Sequence, residues 1–460
     1  MIGNRVAVVG GGLAGISAAS SLADRGWDVT LLESRPRLGG AAYSFNRDGL
    51  TVDTGQHVLL RSYQEYRSLL SRLGVGSWVP VQERLAIPVL RSGRQVSWLR
   101  RGRRGPAPLH LLPALAGFGA LSAADRVRAA WAASRLRKVD PDQPDNDYET
   151  FGHWLRRHGQ RDEAIIGLWG LICVAALNIE PDQASLALAA KVFRSGLLDE
   201  VDAGDIAIPL VPLSDLHDGP ARRLLARLGV RCRTGERVTE IAACPSSEVD
   251  SGWIVRTRGG DAVVDAVVVA VPHWQASRIV PAAAAPDRDA WAGLGSAPIV
   301  NVHVRYDRAV TQLPFAAALG SPIQWIFDRT TASGVDGQYL AMSLSAADDL
   351  IERPAEEILR THLGALSTLL PATRQARLRD AFVTREPRAT FRQQAGTGPL
   401  RPSVVTRLPG LLLAGAWTAT GWPDTMEGAV RSGDTAANVL GSPSSFASAD
   451  STPHVRWAST

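Results

Sequence analysis

The sequence predicts an α/β fold in which a parallel-stranded βαβ unit is split along the chain and an α+β domain is interleaved between its pieces. Three observations lead there. A short apolar run, Val6-Ala7-Val8-Val9, stops at a glycine cluster and is followed by helix-spaced apolar residues and a second apolar run. Near the other end, Leu411-Leu412-Leu413 again runs into glycine and then into an Ala-rich helical pattern. Between them lie a long Ala- and Leu-rich helical stretch and several alternating, strand-like runs. A chain of 460 residues is also too long for one simple core. Pattern changes divide it into 1–75, 201–275 and 396–441 for the split unit, and 76–200 and 276–395 for the interleaved domain. The Ser-, Ala- and Thr-rich 442–460 is expected to be a disordered tail.

In the first unit, Gly10, Gly12 and Gly15 occupy the positions of a G-x-G-x-x-G turn, with Leu13 and Ala14 opening the helix. The first glycine permits the tight turn, the second admits a pyrophosphate to the backbone, and the third lets helix and strand pack closely. The helix start offers free N–H groups to phosphate. A second strand, Asp28-Val29-Thr30-Leu31-Leu32, ends in Glu33, placed to accept hydrogen bonds from ribose hydroxyls. Strand, glycines, helix, strand and acid in register define a Rossmann-like dinucleotide site.

The next residues indicate which dinucleotide. Glu33-Ser34-Arg35-Pro36-Arg37-Leu38-Gly39-Gly40 puts a second glycine turn and basic residues just after the acid. A nicotinamide site needs no such turn, whereas a flavin dinucleotide lying extended through the protein does. With Asp53-Thr54-Gly55-Gln56-His57 beyond it, this stretch resembles the FAD-binding fold of amine oxidases, phytoene desaturases and protoporphyrinogen oxidases, a superfamily that includes the non-enzymatic GDP-dissociation inhibitors. Ala41 stands where those families often carry Arg, so Arg35 or Arg37 is the candidate phosphate contact. The resemblance places Val238 against the adenine. It also makes Gly415, Ala416, Thr425 and Met426 the C-terminal flavin segment, where a helix N-terminus faces the N1–C2=O2 edge of the ring. Gly55, Gln56 and His57 are implied to pass close to the ring.

Composition narrows the classes. Hydrophobic residues make up 45% of the chain, and the net charge is only +5. Lys138 and Lys191 are the only lysines, an arginine bias that fits GC-rich coding better than nucleic-acid contacts, and no nucleic-acid motif accompanies it. Cys173, Cys232 and Cys244 form no metal or disulfide spacing, and none lies near the C-terminal flavin segment, so non-covalent FAD and no metal are expected. The first strand begins by Arg5, leaving no room for a leader peptide, and no apolar run approaches the roughly 20 residues of a span. A cytoplasmic protein is expected, soluble or peripheral on the inner face of the membrane.

Further elements follow in order. Helix is expected at 63–73, strands at 85–90 and 95–99, and helices through most of 106–200 with a break at 141–144. Pro220 suits the first turn of a helix running to Leu228. Strands are expected at 230–233, 237–241, 253–257, 262–270, 299–304 and 339–344.

Three stretches narrow the family: Asp53 to Leu60, Leu168 to Asn178 with its Ala175-Ala176-Leu177-Asn178 end, and Ile208 to Leu216. Together with Gly421 to Gly433 they resemble the hydroxysqualene dehydroxylase family (squalene-associated FAD-dependent desaturases) of bacterial hopanoid synthesis. The resemblance implies reductive loss of an allylic hydroxyl, giving squalene and water, with hydride from flavin N5. Such chemistry needs an acid or hydrogen-bond donor at the hydroxyl and a water-excluded pocket. His57 is the first candidate for that donor, or else a residue that positions FAD; Asp424 and Glu427 are the alternatives. A long-chain isoprenoid substrate draws attention to 91–104. Arg91, Arg94, Arg100, Arg101, Arg103 and Arg104 surround Trp98-Leu99 with no acidic residue, followed by an apolar stretch at 109–121. This suits an anionic membrane surface, and equally a solvated basic loop beside a core helix. Rival activities are oxidative isoprenoid desaturation, amine oxidation and, without catalysis, lipid carriage of the GDP-dissociation-inhibitor kind. One G-x-G-x-x-G unit leaves no separate domain for NAD(P)H, so the source of reducing electrons is open.

Overall fold

The computed structural model describes residues 4–244 and 252–450. Its centre is a five-stranded parallel sheet ordered Leu411–Leu413, Ala266–Val269, Arg5–Val9, Asp28–Glu33, Arg231–Thr234. Strands from three distant parts of the chain therefore lie side by side. The alternation of side chains sorts the two faces. Val6, Val8, Val268 and Leu412 pack with the helices Leu13–Asp24, Leu213–Arg227 and Met426–Leu440. Ala7, Val9, Val267 and Leu413 pack instead with the antiparallel sheet Val238–Ala243, Trp253–Thr257, Gly260–Val264. With both faces covered, near-continuous apolar strands are what such a sheet requires.

The second domain is built on a seven-stranded sheet. Its order is Leu378–Thr390, Ala297–Tyr306, Gln338–Leu344, Trp325–Asp328, Phe315–Leu319, Ala86–Arg91, Ser97–Arg100. The last two strands come from early in the chain and join through a parallel pairing of Ala86–Arg91 with Phe315–Leu319. Helices between 112 and 193 cover one face through Ile87, Val89, Phe315 and Phe327. The helix Ala355–Leu369 covers the other through Val300, Val302 and Leu340.

Three expectations are corrected. Pro220 does not open a helix: it lies inside Leu213–Arg227, which starts seven residues earlier. The early start has a remote cause, because the Leu213 N–H donates to Asp53 Oδ1 at 3.0 Å and so finds its cap 160 residues away. The apolar stretch at 262–270 is two strands in two different sheets, parted at Asp265, whose carboxylate receives the Arg5 N–H at 2.8 Å. The expected tail begins as a helix, Pro443–Asp450, and its remaining residues lie outside those described.

Candidate active site

Gly10 ends the central strand with φ +111°, a conformation that favours glycine. A methyl group at Gly15 would sit 1.8 Å from the Gly10 carbonyl oxygen, so the close strand–helix approach is real. Gly12 differs: its nearest neighbour would be the Gly40 Cα at 3.7 Å. The two glycine turns thus face one another and leave an open cradle. The helix Leu13–Asp24 begins there with no side-chain cap and no acid in its first turn, so its N–H groups are free for an anion. Glu33 closes the side of this cradle, its carboxylate receiving the N–H groups of Gly11 at 2.6 Å and Arg35 at 2.7 Å and the Ser34 hydroxyl at 3.1 Å. Arg37 lies over the Tyr43 ring and donates to the Gly40 carbonyl at 2.9 Å. Arg35 is exposed, so of the two basic candidates Arg37 is the one held at the second turn. Val238, buried, shares a core cluster with Val9 and Leu32 beside Glu33.

The C-terminal segment reaches the same cradle. Gly415 has φ +135° and donates its N–H to Ser432 Oγ at 2.7 Å. Thr425 caps the helix Met426–Leu440, its hydroxyl accepting the Gly428 N–H at 3.1 Å. That helix lies tightly on Leu13–Asp24: a methyl at Gly433 would be 2.2 Å from the Ala14 carbonyl oxygen, and Asp434 accepts the Ser17 and Ser21 hydroxyls at 2.7 Å each. The two helix starts are fixed as a pair.

A cavity of about 530 Å³ extends from this cradle into the second domain. Gly12, Leu13, Gly39, Ala41, Gly55, Gln56, His57, Thr425 and Met426 line its inner end. Beyond them its walls are largely apolar: Leu85, Ile87, Leu99, Leu111, Leu115, Leu168, Ile172, Phe193, Leu197 and Phe327. No cysteine lines it among the described residues. Its polar residues include Asn178, Glu386, Thr390 and Asp424. The Gln56 amide nitrogen is buried without a hydrogen-bond partner.

His57 Nδ1 lies 3.1 Å from the Gly55 carbonyl oxygen. A proton on Nδ1 satisfies that contact and leaves Nε2 as an acceptor. Burial holds the imidazole below its usual pKa, with Arg329 adding to the effect and the Gly55 carbonyl and Asp53 opposing it. Glu427, fully buried, is spent elsewhere: it accepts the Tyr66 and Glu65 N–H groups at 2.9 and 3.3 Å and the Arg431 Nε–H at 2.7 Å, capping the helix Gln64–Arg72. Asp424 Oδ2 accepts the Phe391 N–H at 2.8 Å. Burial pushes its carboxyl up to about 6 against the pull of that N–H and of Arg401.

The architecture and the cradle now meet the comparisons with known proteins. The sequence profile of the flavin containing amine oxidoreductases matches residues 13–440. The chain belongs to that family. A hydroxysqualene dehydroxylase from Sinorhizobium fredii is 28% identical over 459 residues, spanning 94% of this chain and 97% of the relative. A zeta-carotene desaturase from Zea mays is 27% identical, spanning 95% of this chain and 83% of the relative. Among solved structures, a putative protoporphyrinogen oxidase from Exiguobacterium superposes with a TM-score of 0.68 at 19% identity, covering 95% of this chain and 98% of that one. The cofactor of this family member is FAD, and the facing glycine turns, the uncapped helix start and Glu33 fit that long dinucleotide.

Several residues that hold this flavin family's site together here escaped the sequence. Arg329 and Asp53 form a buried pair at 2.8 Å, and Arg329 also donates to the Pro209 carbonyl at 2.7 Å, which places the 208–216 stretch against the Gly55 turn. His217 and Asp218 brace the second glycine turn: His217 contacts the Ala42 carbonyl at 3.1 Å and Tyr66 Oη at 2.8 Å, and Asp218 accepts the Leu38 N–H at 3.0 Å. Arg401 gathers the carbonyls of Ala416, Thr418 and Trp422. Asn178 turns out to be a joint. It has φ +53°, donates to the Ala297 carbonyl at 3.0 Å and Thr390 Oγ1 at 3.1 Å, and accepts the Ala346 N–H at 2.7 Å. Asn tolerates this left-handed position at a helix end.

The basic window also changes. Arg101 does not face outward: it is buried, with Nε and Nη2 donating to the two oxygens of buried Asp205 at 2.7 and 2.8 Å. Arg91 donates to the Gly119 carbonyl at 3.2 Å. Arg94, Arg100, Arg103 and Arg104 are exposed and make no ion pair among the described residues. No described helix is long and apolar enough to cross a membrane.

Proposed function

We propose that this flavoenzyme removes the hydroxyl of hydroxysqualene reductively, giving squalene and water within triterpenoid (hopanoid) synthesis. One observation carries the reading: beyond the flavin cradle the cavity walls are largely apolar, with only a few polar side chains such as Asn178, Glu386 and Asp424 among them. A C30 hydrocarbon with a single hydroxyl is the chemistry that matches. Reduced FAD, when bound, supplies hydride from N5 to carbon. The protein's share is to hold the substrate, shield it and manage the proton. The apolar walls suppress capture of an allylic cation by water. His57 Nε2 serves as an acceptor for the substrate O–H, and the unpartnered Gln56 N–H groups as donors to its oxygen. The similarity to the Sinorhizobium fredii dehydroxylase supports this reading.

The test is anaerobic incubation of photoreduced enzyme with hydroxysqualene. The oxidised flavin bands should return as squalene forms in equal amount; reduced flavin that persists beside unchanged substrate would overturn the proposal. A second reading, oxidative desaturation of a carotenoid, draws on the Zea mays relative. It predicts the reverse, bleaching of oxidised enzyme by a polyene substrate.

The same reading suggests where substrate enters. In Ser97–Arg100, Leu99 lines the cavity while Trp98 and Arg100 point outward, the Arg100 guanidinium 4.7 Å from the Trp98 ring centroid. Next to it Leu111 and Leu115 line the cavity while Leu109 and Leu112 are exposed at 55% and 47%. The outer face carries free arginines and apolar side chains, and the wall is one element thick, which suits an anionic bilayer surface. Co-sedimentation with vesicles containing phosphatidylglycerol should pellet the protein in a salt-sensitive manner. Absence of pelleting at both low and physiological salt contradicts the assignment.

A further inference from the structure

We propose that Asp424 is the proton donor to the departing hydroxyl, an assignment that rests on the dehydroxylation reading. Asp424 lines the cavity immediately before Thr425 and Met426, where the helix Met426–Leu440 begins, and lines the same cavity as Gln56 and His57. Its position is fixed from both sides. Its own N–H donates to Gln393 Oε1 at 2.8 Å, and Gln393, fully buried, donates in turn to the Leu177 carbonyl at 2.8 Å. Its Oδ2 accepts the Phe391 N–H, and Oδ1 has no hydrogen-bond partner among the described residues. One oxygen is therefore held and the other is left for the cavity.

Two other acidic groups of the region are committed, and the third, Glu386, lies in the strand Leu378–Thr390 away from the helix start at Thr425. Asp53 is paired with Arg329, and Glu427 caps the helix Gln64–Arg72. His57, held neutral with its Nδ1 proton spent on Gly55, is poorly suited to donate. Asp424 combines a free oxygen with a proton affinity raised toward neutrality, and burial is the cause of that rise. General acids work best near the operating pH.

The Asp424 carboxyl proton passes to the substrate oxygen as the C–O bond breaks, and the bond's electron pair leaves with the water. The allylic carbon gains hydride from reduced flavin, which is oxidised. Asp424, now a carboxylate, regains its proton from solvent.

The experiment compares wild type, Asp424→Asn, Asp424→Glu and Glu386→Gln as FAD-loaded enzymes. Single-turnover squalene formation should fall about 10²- to 10⁴-fold in Asp424→Asn, with substrate affinity read from the flavin spectrum nearly unchanged. The wild-type rate should decline as pH rises above about 6. That limb should vanish in Asp424→Asn and persist in Asp424→Glu. A readout without turnover accompanies it. Because Asp424 binds its proton more tightly folded than unfolded, its contribution to stability is full below the unfolded value and lost as pH rises through about 6. The Tm of Asp424→Asn relative to wild type should therefore climb between about pH 4 and pH 6. A wild-type rate limb retained in Asp424→Asn, a loss confined to Glu386→Gln, or a flat Tm difference overturns the assignment alone. Wild-type enzyme that makes no squalene overturns the reaction and the assignment together.

Discussion

Asp53 receives three groups from three separate parts of the chain: the Leu213 N–H, the Ser44 hydroxyl, and through its other oxygen the Arg329 guanidinium, itself bound to the Pro209 carbonyl. Breaking such a pair on one side leaves a buried charge without its partner. Arg329→Met should cost about 3–5 kcal/mol, lower Tm and loosen FAD, as a melt and a flavin titration would report; an unchanged Tm contradicts the role. The buried histidines set a pH dependence. Burial pushes His217 and His273 down to about 4, and His303 to about 3. Each is neutral in the native state and protonates on unfolding. The stability they contribute is whole above the unfolded value of about 6.5 and is lost as pH falls toward 4. Asp424 works in the opposite direction through part of that window, but three groups outweigh one. Tm should fall steadily from about pH 6.5 to 4, and a flat profile would contradict these assignments. The N-terminal glycines and Glu33 stood out in the sequence because they form one spaced motif within residues 10–33. Arg329 and His217 did not, because their partners lie 175 to 276 residues away and carry no such spacing. Arg101 was misread for the same reason, since a count of charges does not reveal a buried Asp205.

The pair of helices Leu13–Asp24 and Met426–Leu440 decides whether the cradle exists. Their contact depends on a missing side chain at Gly433 and on the two serines that donate to Asp434. Asp434→Ala should remove about 2 kcal/mol and lower FAD affinity, while Gly433→Val should yield protein that does not retain flavin. Retained FAD in Gly433→Val would contradict the close approach. Helical patterning located both helices but did not indicate that the second begins at Thr425. It misplaced the start at Pro220, because the true start is capped by Asp53 from another element. The widened turns at Ile165–Trp169 and Arg194–Leu198 were also invisible, since one extra residue in a helical run leaves the apolar spacing nearly intact.

At the scale of the molecule, the parallel sheet assembled from three parts was legible, because each part carries its own apolar strand. The seven-stranded sheet was legible only in pieces: that Ala86–Arg91 pairs with Phe315–Leu319 is a matter of long-range topology, which local pattern does not encode. Topology is also what joins a largely apolar cavity to the flavin cradle. The central claim is that the carbon losing its hydroxyl receives hydrogen from the flavin. Single turnover of reduced enzyme with hydroxysqualene in D2O tests it most directly, since the flavin N5 hydrogen exchanges with solvent. Squalene carrying one deuterium at the former carbinol carbon is the expected product. Squalene without deuterium there, or no squalene at all, would contradict it.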